Sequence, residues 1–481
     1  MVIRLTKSSP LEVETQGLVI PVFEDKTPVV ELDGALQKEL RDLKKKGIFK
    51  GEFLEEYLFH FKTRNISKRI LICGLGKSKE ITSEKLRQCG GAISKAAKKT
   101  RLKDIYVDTS QIKNLKPSAL LEGILLGSYR FIRYKKEKDT AALKTLLFPD
   151  NGRITQKDIE ETKSVAEAVC FARDLVNIPS NELTPTDILK TARSLKSKRL
   201  SIKALNRKEA KKAGLNAFVA VSNGSHQEPW FIIMNYRGGG RKTVVLIGKS
   251  ITFDSGGLSL KPSEGMEKMK YDMAGGAAVL SVMRYIEKKE LPCNVIGILP
   301  ATENLPGGSA TKPGDIVKAF NGKTIEIVNT DAEGRLTLSD AIAYAKKYRP
   351  DVIIDIATLT GACSIALGNE AMALMGNNER IIELLKTSAE KTGERLWHMP
   401  LYEDYKEYIK SDVADLKNTG GRTGSLVTAG YFLKEFAEDT PWGHIDIAST
   451  AWTDRDRHYC PKGATGVGVR LIIQFLKEYG L

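Results

Sequence analysis

Short apolar runs alternate with longer, partly charged runs along most of this 481-residue chain. The short runs have the length and bulky apolar content of buried strands, and the longer runs have helical spacing. Such alternation is typical of α/β domains, in which helices cover both faces of a sheet. The expected strands are 17–23, 69–74, 104–108, 143–148, 230–234, 244–247, 294–299, 325–328, 352–357 and 444–447. The expected helices include 31–46, 83–100, 117–133, 155–176, 275–289 and 466–479.

A chain of this length exceeds what a single hydrophobic core usually supports, so we predict two α/β domains. Residues 1–150 form the smaller amino-terminal domain, with a mostly parallel sheet. Residues 151–176 form a linker helix, and residues 177–481 form a larger domain with a mixed sheet flanked by helices. In the larger domain, the strands 230–234 and 244–247 are expected to be neighbours, joined through the glycines at 238–240.

The net charge of +16 is unevenly distributed. Residues 1–150 hold 30 Lys and Arg against 19 Asp and Glu, a balance of +11, whereas residues 151–481 hold 45 against 40. A basic domain can bind nucleic acid through counterion release, so DNA binding through the amino-terminal domain is an open alternative. No nucleic-acid-binding motif accompanies the charge, which favours an ordinary lysine-rich surface.

The sequence shows no sign of a membrane or secretory destination. No apolar run approaches the roughly 20 residues that span a bilayer, and residues 1–7 lack the apolar segment of a secretory signal. The six cysteines are scattered, as in proteins whose thiols stay reduced. We therefore predict a cytoplasmic protein without a membrane partner.

The chemically distinctive residues lie in two stretches. The first runs from Gly248 to Gly257 and continues to Lys261 and Asp272, and the second is the octapeptide 329–336. Together they supply four carboxylates, two lysines and an arginine, in predicted loops after apolar strands. Because α/β proteins keep their sites at the carboxyl ends of strands, we expect these groups to form one site.

A phosphate-binding P-loop is one interpretation of Gly248-Lys249-Ser250. That motif requires a glycine five positions before Gly248, where this chain has Thr243, and a helix after the serine. Residues 251–257 look like a loop, so both requirements fail, which argues against nucleotide binding.

A two-metal site is the better interpretation. Asp254, Asp272, Asp331 and Glu333 offer hard oxygen ligands, and paired divalent ions are commonly held by shared carboxylates. Four converging carboxylates without a cation would repel one another and raise their pKa values, which costs stability. Bound cations remove that cost.

The octapeptide Asn-Thr-Asp-Ala-Glu-Gly-Arg-Leu at 329–336 resembles the signature of the leucyl aminopeptidases, the M17 metallopeptidase family. The block from Lys249 to Asp272 is similar to that family's other metal-binding block, and the resemblance covers roughly residues 165–481. An eight-residue identity with a second motif at the right distance is a specific signal. The resemblance implies that 177–481 is a dinuclear-metal peptidase catalytic domain.

The resemblance also implies roles for individual residues. The expected ligands of two zinc or manganese ions are Lys249, Asp254, Asp272, Asp331 and Glu333. The expected catalytic residues are Lys261, which stabilises the oxyanion and contacts substrate, and Arg335, which holds a bicarbonate ion as general base. The expected substrate-binding residues are Met269, Asn329, Thr358, Leu359, Gly361 and Ala448. Ser449 stands where glycine is common and is expected to reshape the pocket wall slightly.

The implied activity is release of amino-terminal leucine and other apolar residues from peptides, in intracellular peptide turnover. The implied assembly is a homohexamer. A DNA-binding regulator, with or without peptidase activity, remains the alternative function. A relative that has lost turnover is a third possibility, which the presence of all seven key residues argues against.

Overall fold

The computed structural model describes residues 1–27, 34–62, 67–113, 115–136 and 142–480. The chain divides into two compact units. The first comprises Met1–Glu167 and Arg455–Lys462, and the second comprises Ala168–Asp454 and Gly463–Leu481. The limits drawn from the sequence, at 150 and 177, stay a prediction.

The first unit contains one six-stranded sheet and its helices. Its strands are β1 (Val2–Thr6), β2 (Gly17–Val22), β3 (Glu56–Lys62), β4 (Ser67–Gly74), β5 (Asp104–Val107) and β6 (Thr145–Pro149). Its helices are α1 (Gly34–Lys45), α2 (Ser83–Lys99), α3 (Ser118–Gly127) and the first part of α4 (Gln156–Asn177).

The strands of this sheet follow the order β1-β6-β5-β2-β4-β3, and every pairing is parallel except that of β3 with β4. The prediction of a mostly parallel sheet is therefore confirmed. The sequence did not predict β1 and β3, which lie at the two edges and alternate between exposed and covered side chains. Edge strands lack the continuous apolar run that marks a buried strand. Residues 31–33 of the predicted first helix lie outside the described residues.

The second unit is larger. Its helices are the end of α4, α5 (Pro185–Ser194), α6 (Arg207–Lys212), α7 (Asn216–Ser222), α8 (Ala274–Lys288), α9 (Glu333–Ala345), α10 (Gly361–Leu367), α11 (Glu379–Thr392), α12 (Ser425–Ala437) and α13 (Val469–Glu478), with short 3-10 helices at Met266–Met273, Lys346–Tyr348 and Glu403–Ile409. Its strands are β7 (Leu200–Leu205), β8 (Trp230–Arg237), β9 (Thr243–Gly248), β10 (Ser250–Asp254), β11 (Asn294–Asn304), β12 (Ile316–Lys318), β13 (Thr324–Glu326), β14 (Val352–Ala357), β15 (Met372–Gly376), β16 (Leu396–His398), β17 (Leu416–Lys417), β18 (Trp442–Asp446), β19 (Trp452–Thr453) and β20 (Gly463–Ala464). None of the helices in the described ranges combines the length and apolar content that a membrane span needs.

The main sheet of this unit has nine strands and is mixed, as predicted. Its order is β16-β15-β18-β14-β9-β11-β8-β7, and β10 pairs with β11. The expectation that β8 and β9 are neighbours was wrong, because β11 lies between them, parallel to β9 and antiparallel to β8. β11 is almost wholly buried, and such a strand needs a hydrogen-bonding partner on each side.

The strands β9, β10, β11, β14 and β18 run parallel to one another. Their carboxyl ends therefore meet at one edge of the sheet, which is where open α/β sheets carry their sites. The strand β10 corrects the prediction that 251–257 is a loop. Because Ser250 is followed by this strand and not by a helix, the helix that a P-loop requires after its serine is still absent at this point.

The helix α9 starts at this edge and runs through the core. All thirteen of its residues are buried, and the Tyr344 ring near its far end packs edge-on against Phe231 and Phe320. Glu333 and Arg335 were predicted to lie in a loop, but they occupy the first turn of this helix. Because the whole helix is buried in the hydrophobic core, the backbone that carries Glu333 and Arg335 is held in place by packing.

Two glycines allow the close packing around this edge. A Cβ atom on Gly275, near the start of α8, would meet the carbonyl oxygen of Ile356 at 2.0 Å. A Cβ atom on Gly334 would meet the Lys249 side chain at 2.7 Å. We infer that both positions need glycine because other atoms of the same protein occupy the space that a side chain would take.

Candidate metal centre

Lys249 lies between β9 and β10 and is buried. Its Nζ atom is 2.9 Å from Asp272 Oδ2 and 2.8 Å from Glu333 Oε1. It also donates a hydrogen bond to the carbonyl oxygen of Thr358, at 2.9 Å. The Thr358 hydroxyl donates to Asp272 Oδ1 at 2.7 Å, so this threonine holds both partners of one ion pair.

Lys261 forms a second ion-paired group beside the first. Its Nζ atom lies 2.8 Å from Asp254 Oδ2 and also contacts Asp331 Oδ1. The other oxygen of Asp254 accepts hydrogen bonds from the Gly256 backbone, at 2.9 Å, and from Asn304 Nδ2, at 2.8 Å. Asp254 is buried, whereas the Asp331 side chain is 34% exposed.

The electrostatics of the cluster show surplus negative charge, because four carboxylates share two ammonium groups. Burial opposes charge on Lys249 and Lys261, but the surrounding carboxylates outweigh burial and raise the pKa of both amines. Burial, together with repulsion from nearby carboxylates, raises the pKa of Asp272 and Glu333, and burial also raises the pKa of Asp331. A cluster of this kind attracts protons or cations.

The donor atoms fit divalent cations. Asp254, Asp272 and Glu333 each bring a carboxylate oxygen within 4.8 Å of the other two. Glu333 Oε2 is buried and has no hydrogen-bond partner in the described chain, and Asp272 Oδ2 has only its ion pair with Lys249. Buried carboxylate oxygens without donors are costly unless a cation satisfies them. Asp331 does not belong to this group of three. It contacts Lys261, which is also paired with Asp254.

Arg335 is a buried cation on the same helix turn as Glu333. Its Nη1 atom donates to the carbonyl oxygen of Asn418 at 2.8 Å, while its Nε atom has no partner among the described residues. Burial lowers the pKa of this guanidinium to about 10, against the opposing effect of Glu333, Asp446 and Asp331. The group therefore stays charged at neutral pH and has a free donor that could bind an anion.

The loop after β14 is held by Asp446 at the end of β18. Asp446 is buried and accepts hydrogen bonds from the backbone of Leu359 (3.1 Å), Thr360 (3.1 Å) and Ala448 (3.0 Å), and from the Thr360 hydroxyl (2.8 Å). The N–H group of Leu359 is therefore already engaged.

The other expected substrate-binding residues have different surroundings. Asn329 uses its Oδ1 atom to accept the Asp331 N–H at 2.8 Å, so its side chain shapes the loop. Met269 is half-buried in the 3-10 helix that carries Asp272, and Gly361 is exposed at the start of α10. Ala448 is half-buried and packs against the apolar cluster around Cys363.

Ser449, which the sequence suggested as part of a pocket wall, is held within the protein. Its side chain is buried, and its hydroxyl donates to the carbonyl oxygen of Ala371 at 2.7 Å. The extra oxygen relative to glycine is thus satisfied within the protein.

Three further residues organise the site although the sequence assigned them no role: Asn304, Asn418 and Asp446. Asn304 and Asp446 are the last residues of buried strands on the parallel edge. A polar residue that closes an apolar strand was the signal that could have revealed them. Asn418 follows a two-residue strand and offers no such signal.

An α/β sheet with a buried, carboxylate-rich cluster at its carboxyl edge defines a protein of the metal-dependent enzyme class. Family models agree with this class and make it specific. The model of the cytosol aminopeptidase family catalytic domain matches residues 170–473, and that of the same family's N-terminal domain matches residues 19–138. The chain belongs to the cytosol aminopeptidase family.

Curated relatives and solved structures agree with this assignment. The chain is 46% identical over 463 residues to a probable cytosol aminopeptidase of Geotalea uraniireducens, covering 93% of each protein. It is 44% identical to one of Geobacter sp., over 99% of this chain and 100% of the relative. A mutant of tomato leucine aminopeptidase is similar in structure with a TM-score of 0.88 and 31% identity, covering 99% and 96% of the two chains. The bottromycin maturation enzyme BotP in complex with Mn is similar with a TM-score of 0.86 and 31% identity, covering 97% and 99%.

Together these similarities and the carboxylate cluster support an aminopeptidase that depends on divalent metal ions. They also confirm the two-domain α/β fold class predicted from the sequence. For nucleic-acid binding, the basic excess of residues 1–150 remains the sole observation, and the comparisons add nothing to it.

Proposed function

We propose that this protein is a leucyl aminopeptidase that uses two divalent metal ions to remove amino-terminal leucine and other apolar residues from peptides. The observation that carries the proposal is the buried cluster of four carboxylates with two lysines, in a chain of the cytosol aminopeptidase family. Its cellular role would be the turnover of peptides in the cytoplasm.

The proposed metal ligands are Lys249, Asp254, Asp272, Asp331 and Glu333. Asp254 and Glu333 are both buried in the cluster, and with the other three ligands they would hold two zinc or manganese ions. Lys249 would have to be neutral to act as a ligand, and a neighbouring dication favours the neutral amine. When bound, the ions supply Lewis acidity toward the scissile carbonyl and the attacking water, and a point of attachment for the free α-amine.

The chain itself would supply two further charges to the reaction. Lys261 reaches the cluster from the loop after β10, and its ammonium group would stabilise the negative charge that develops on the carbonyl oxygen. Arg335 would hold a bicarbonate ion, the proposed general base, with its guanidinium group, whose Nε atom has no partner in the described chain. Thr358 would keep Asp272 oriented through its hydroxyl group.

The proposed substrate contacts are Lys261, Met269, Asn329, Thr358, Leu359, Gly361 and Ala448. Met269 and Ala448 would provide apolar surface for the first side chain of the peptide. A methylene group in such a pocket is worth about 1–3 kcal/mol, so the preference for leucine would be graded rather than absolute.

Removal of metal is expected to abolish activity, because the carboxylate cluster carries no other source of Lewis acidity. The test is hydrolysis of leucine p-nitroanilide by the full chain before chelation, after chelation, and after addition of Mn²⁺ or Zn²⁺. Loss on chelation with recovery by one of these ions supports the proposal. A metal-loaded protein that cleaves neither this substrate nor any leucyl dipeptide would refute it.

We also propose that the protein assembles as a homohexamer, on the strength of family membership alone. Sedimentation equilibrium is expected to yield a mass about six times the 53.1 kDa of one chain. A mass near that of a single chain would contradict the hexamer without bearing on the peptidase activity.

A further inference from the structure

Asn418 is fully buried just after β17, and its side chain makes four hydrogen bonds to one loop. Its Oδ1 atom accepts the N–H groups of Val328 (2.8 Å) and Asn329 (3.2 Å). Its Nδ2 atom donates to the carbonyl oxygens of Asn329 (2.7 Å) and Ala332 (3.5 Å). The amide therefore acts as a backbone substitute, pairing with a segment that has no strand of its own at this point.

The main chain of Asn418 connects to the site in a second way. Its N–H donates to the carbonyl oxygen of Glu326 at 2.9 Å, which continues the parallel pairing of β17 with β13. Its carbonyl oxygen accepts the hydrogen bond from Arg335 Nη1 at 2.8 Å. That bond is the one that orients a guanidinium whose Nε atom is otherwise unpartnered in the described chain.

The loop that Asn418 holds carries part of the carboxylate cluster. Residues 327–332 lie between β13 and α9, and they include Asp331 and lead directly into Glu333. Within the loop, Asn329 Oδ1 accepts the Asp331 N–H, so a shift of Asn329 would move Asp331. From a single buried position, Asn418 thus contacts two parts of the site: the carboxylate loop, which carries Asp331, and Arg335.

We propose that Asn418 is a positioning residue that fixes the distance between the carboxylate loop and Arg335, and thereby sets both metal affinity and turnover. This inference rests on the proposed metal-dependent peptidase function. Asn418 touches neither a carboxylate nor, on the contacts described, a substrate, so it acts through the groups it holds. Residues that orient metal ligands typically change metal affinity or activity by about 10–100-fold when they are replaced.

The test compares Asn418→Ala with the control Asn377→Ala, which removes an exposed asparagine that is also bonded to backbone. The Asn377 side chain makes three hydrogen bonds to backbone: Nδ2 donates to the carbonyl oxygens of Glu438 (3.0 Å) and Thr440 (2.9 Å), and Oδ1 accepts the Trp442 N–H (2.8 Å). The Asn377 side chain lies beside the amino-terminal end of β18, whereas the site lies at the carboxyl end of that strand. Asn418→Ala removes two accepted and two donated hydrogen bonds at the site. Asn377→Ala removes one accepted and two donated hydrogen bonds away from the site.

For Asn418→Ala we expect Zn²⁺ affinity, measured by competition with a chromophoric chelator, to fall about 10–100-fold. We expect kcat for leucine p-nitroanilide at saturating metal to fall by a similar factor, with KM changed less than about threefold. Asn377→Ala should keep wild-type metal affinity and kcat. Circular dichroism and thermal unfolding of both variants would show that the folded protein is being measured.

Because Asn418 is buried, the alanine variant could lose its fold altogether. In that case Asn418→Ser, which keeps a small polar group in the buried space, is measured instead and is expected to change in the same direction. Wild-type metal affinity and kcat in the folded variant, or equal losses in both alanine variants, would overturn the proposal. If the wild-type protein proves to have no peptidase activity, the proposed function fails, while the comparison of Zn²⁺ affinities still tests the positioning role.

Discussion

Glu333→Gln is expected to lower kcat/KM for leucine p-nitroanilide by about 1,000-fold or more and to reduce the amount of metal that the protein retains. Glu333 is buried at the start of α9, with one oxygen paired to Lys249 and the other without a partner in the described chain. Glutamine has nearly the same shape, but it removes the negative charge and turns one oxygen into an amide donor. Loss of an outer partner alone costs about 10–100-fold, so loss of a central ligand should cost more.

The control for this prediction is Glu394→Gln. Glu394 is also buried, pairs with Arg470 and accepts the Leu471 N–H at 2.8 Å, and it belongs to the packing between α11 and α13. Its replacement should lower the unfolding temperature with little change in kcat/KM of the folded protein. Metal content is measured by elemental analysis. If Glu333→Gln keeps both its metal content and its kcat/KM within about threefold of wild type, Glu333 is not a ligand.

Arg335→Lys is expected to lower kcat about 100–1,000-fold while leaving metal content unchanged, as is usual when a preorganised donor is lost from a catalytic centre. Lysine keeps the positive charge but lacks the planar fork that can hold an anion while Nη1 stays bonded to Asn418. The measurement is kcat at saturating substrate, with and without added bicarbonate. Bicarbonate should raise the rate of the wild type and have little effect on the variant.

Arg470→Lys separates this effect from the general cost of changing a buried arginine. Arg470 is buried like Arg335, but its guanidinium is ion-paired with Glu394 and donates to the carbonyl oxygen of Thr392. We expect this variant to lose thermal stability and to retain kcat. A wild-type kcat in Arg335→Lys would remove Arg335 from the proposed mechanism, and equal kcat losses in both variants would point to a structural role.

The sequence by itself determined the α/β class, the mostly parallel first sheet and the residues of the carboxylate cluster. These features depend on short-range patterns. An apolar run of five or six residues marks a buried strand, and acids and bases grouped after such runs mark a strand-end site. The cluster was therefore visible as two stretches, and the fold brings Lys249, Asp254, Asp272, Asp331 and Glu333 together as those stretches suggested.

Only the tertiary structure decided which strands are neighbours and which partners hold the site in place. β11 lies between β8 and β9, although β8 and β9 follow each other in the sequence. Asn418 reaches Arg335 across 83 residues, and Asp446 reaches Leu359 across 87. Local patterns predict whether a segment is a strand or a helix, but hydrogen bonds over such separations depend on sheet order and on the space left by packing. For the same reason, only the fold showed that the N–H of Leu359 is bonded to Asp446.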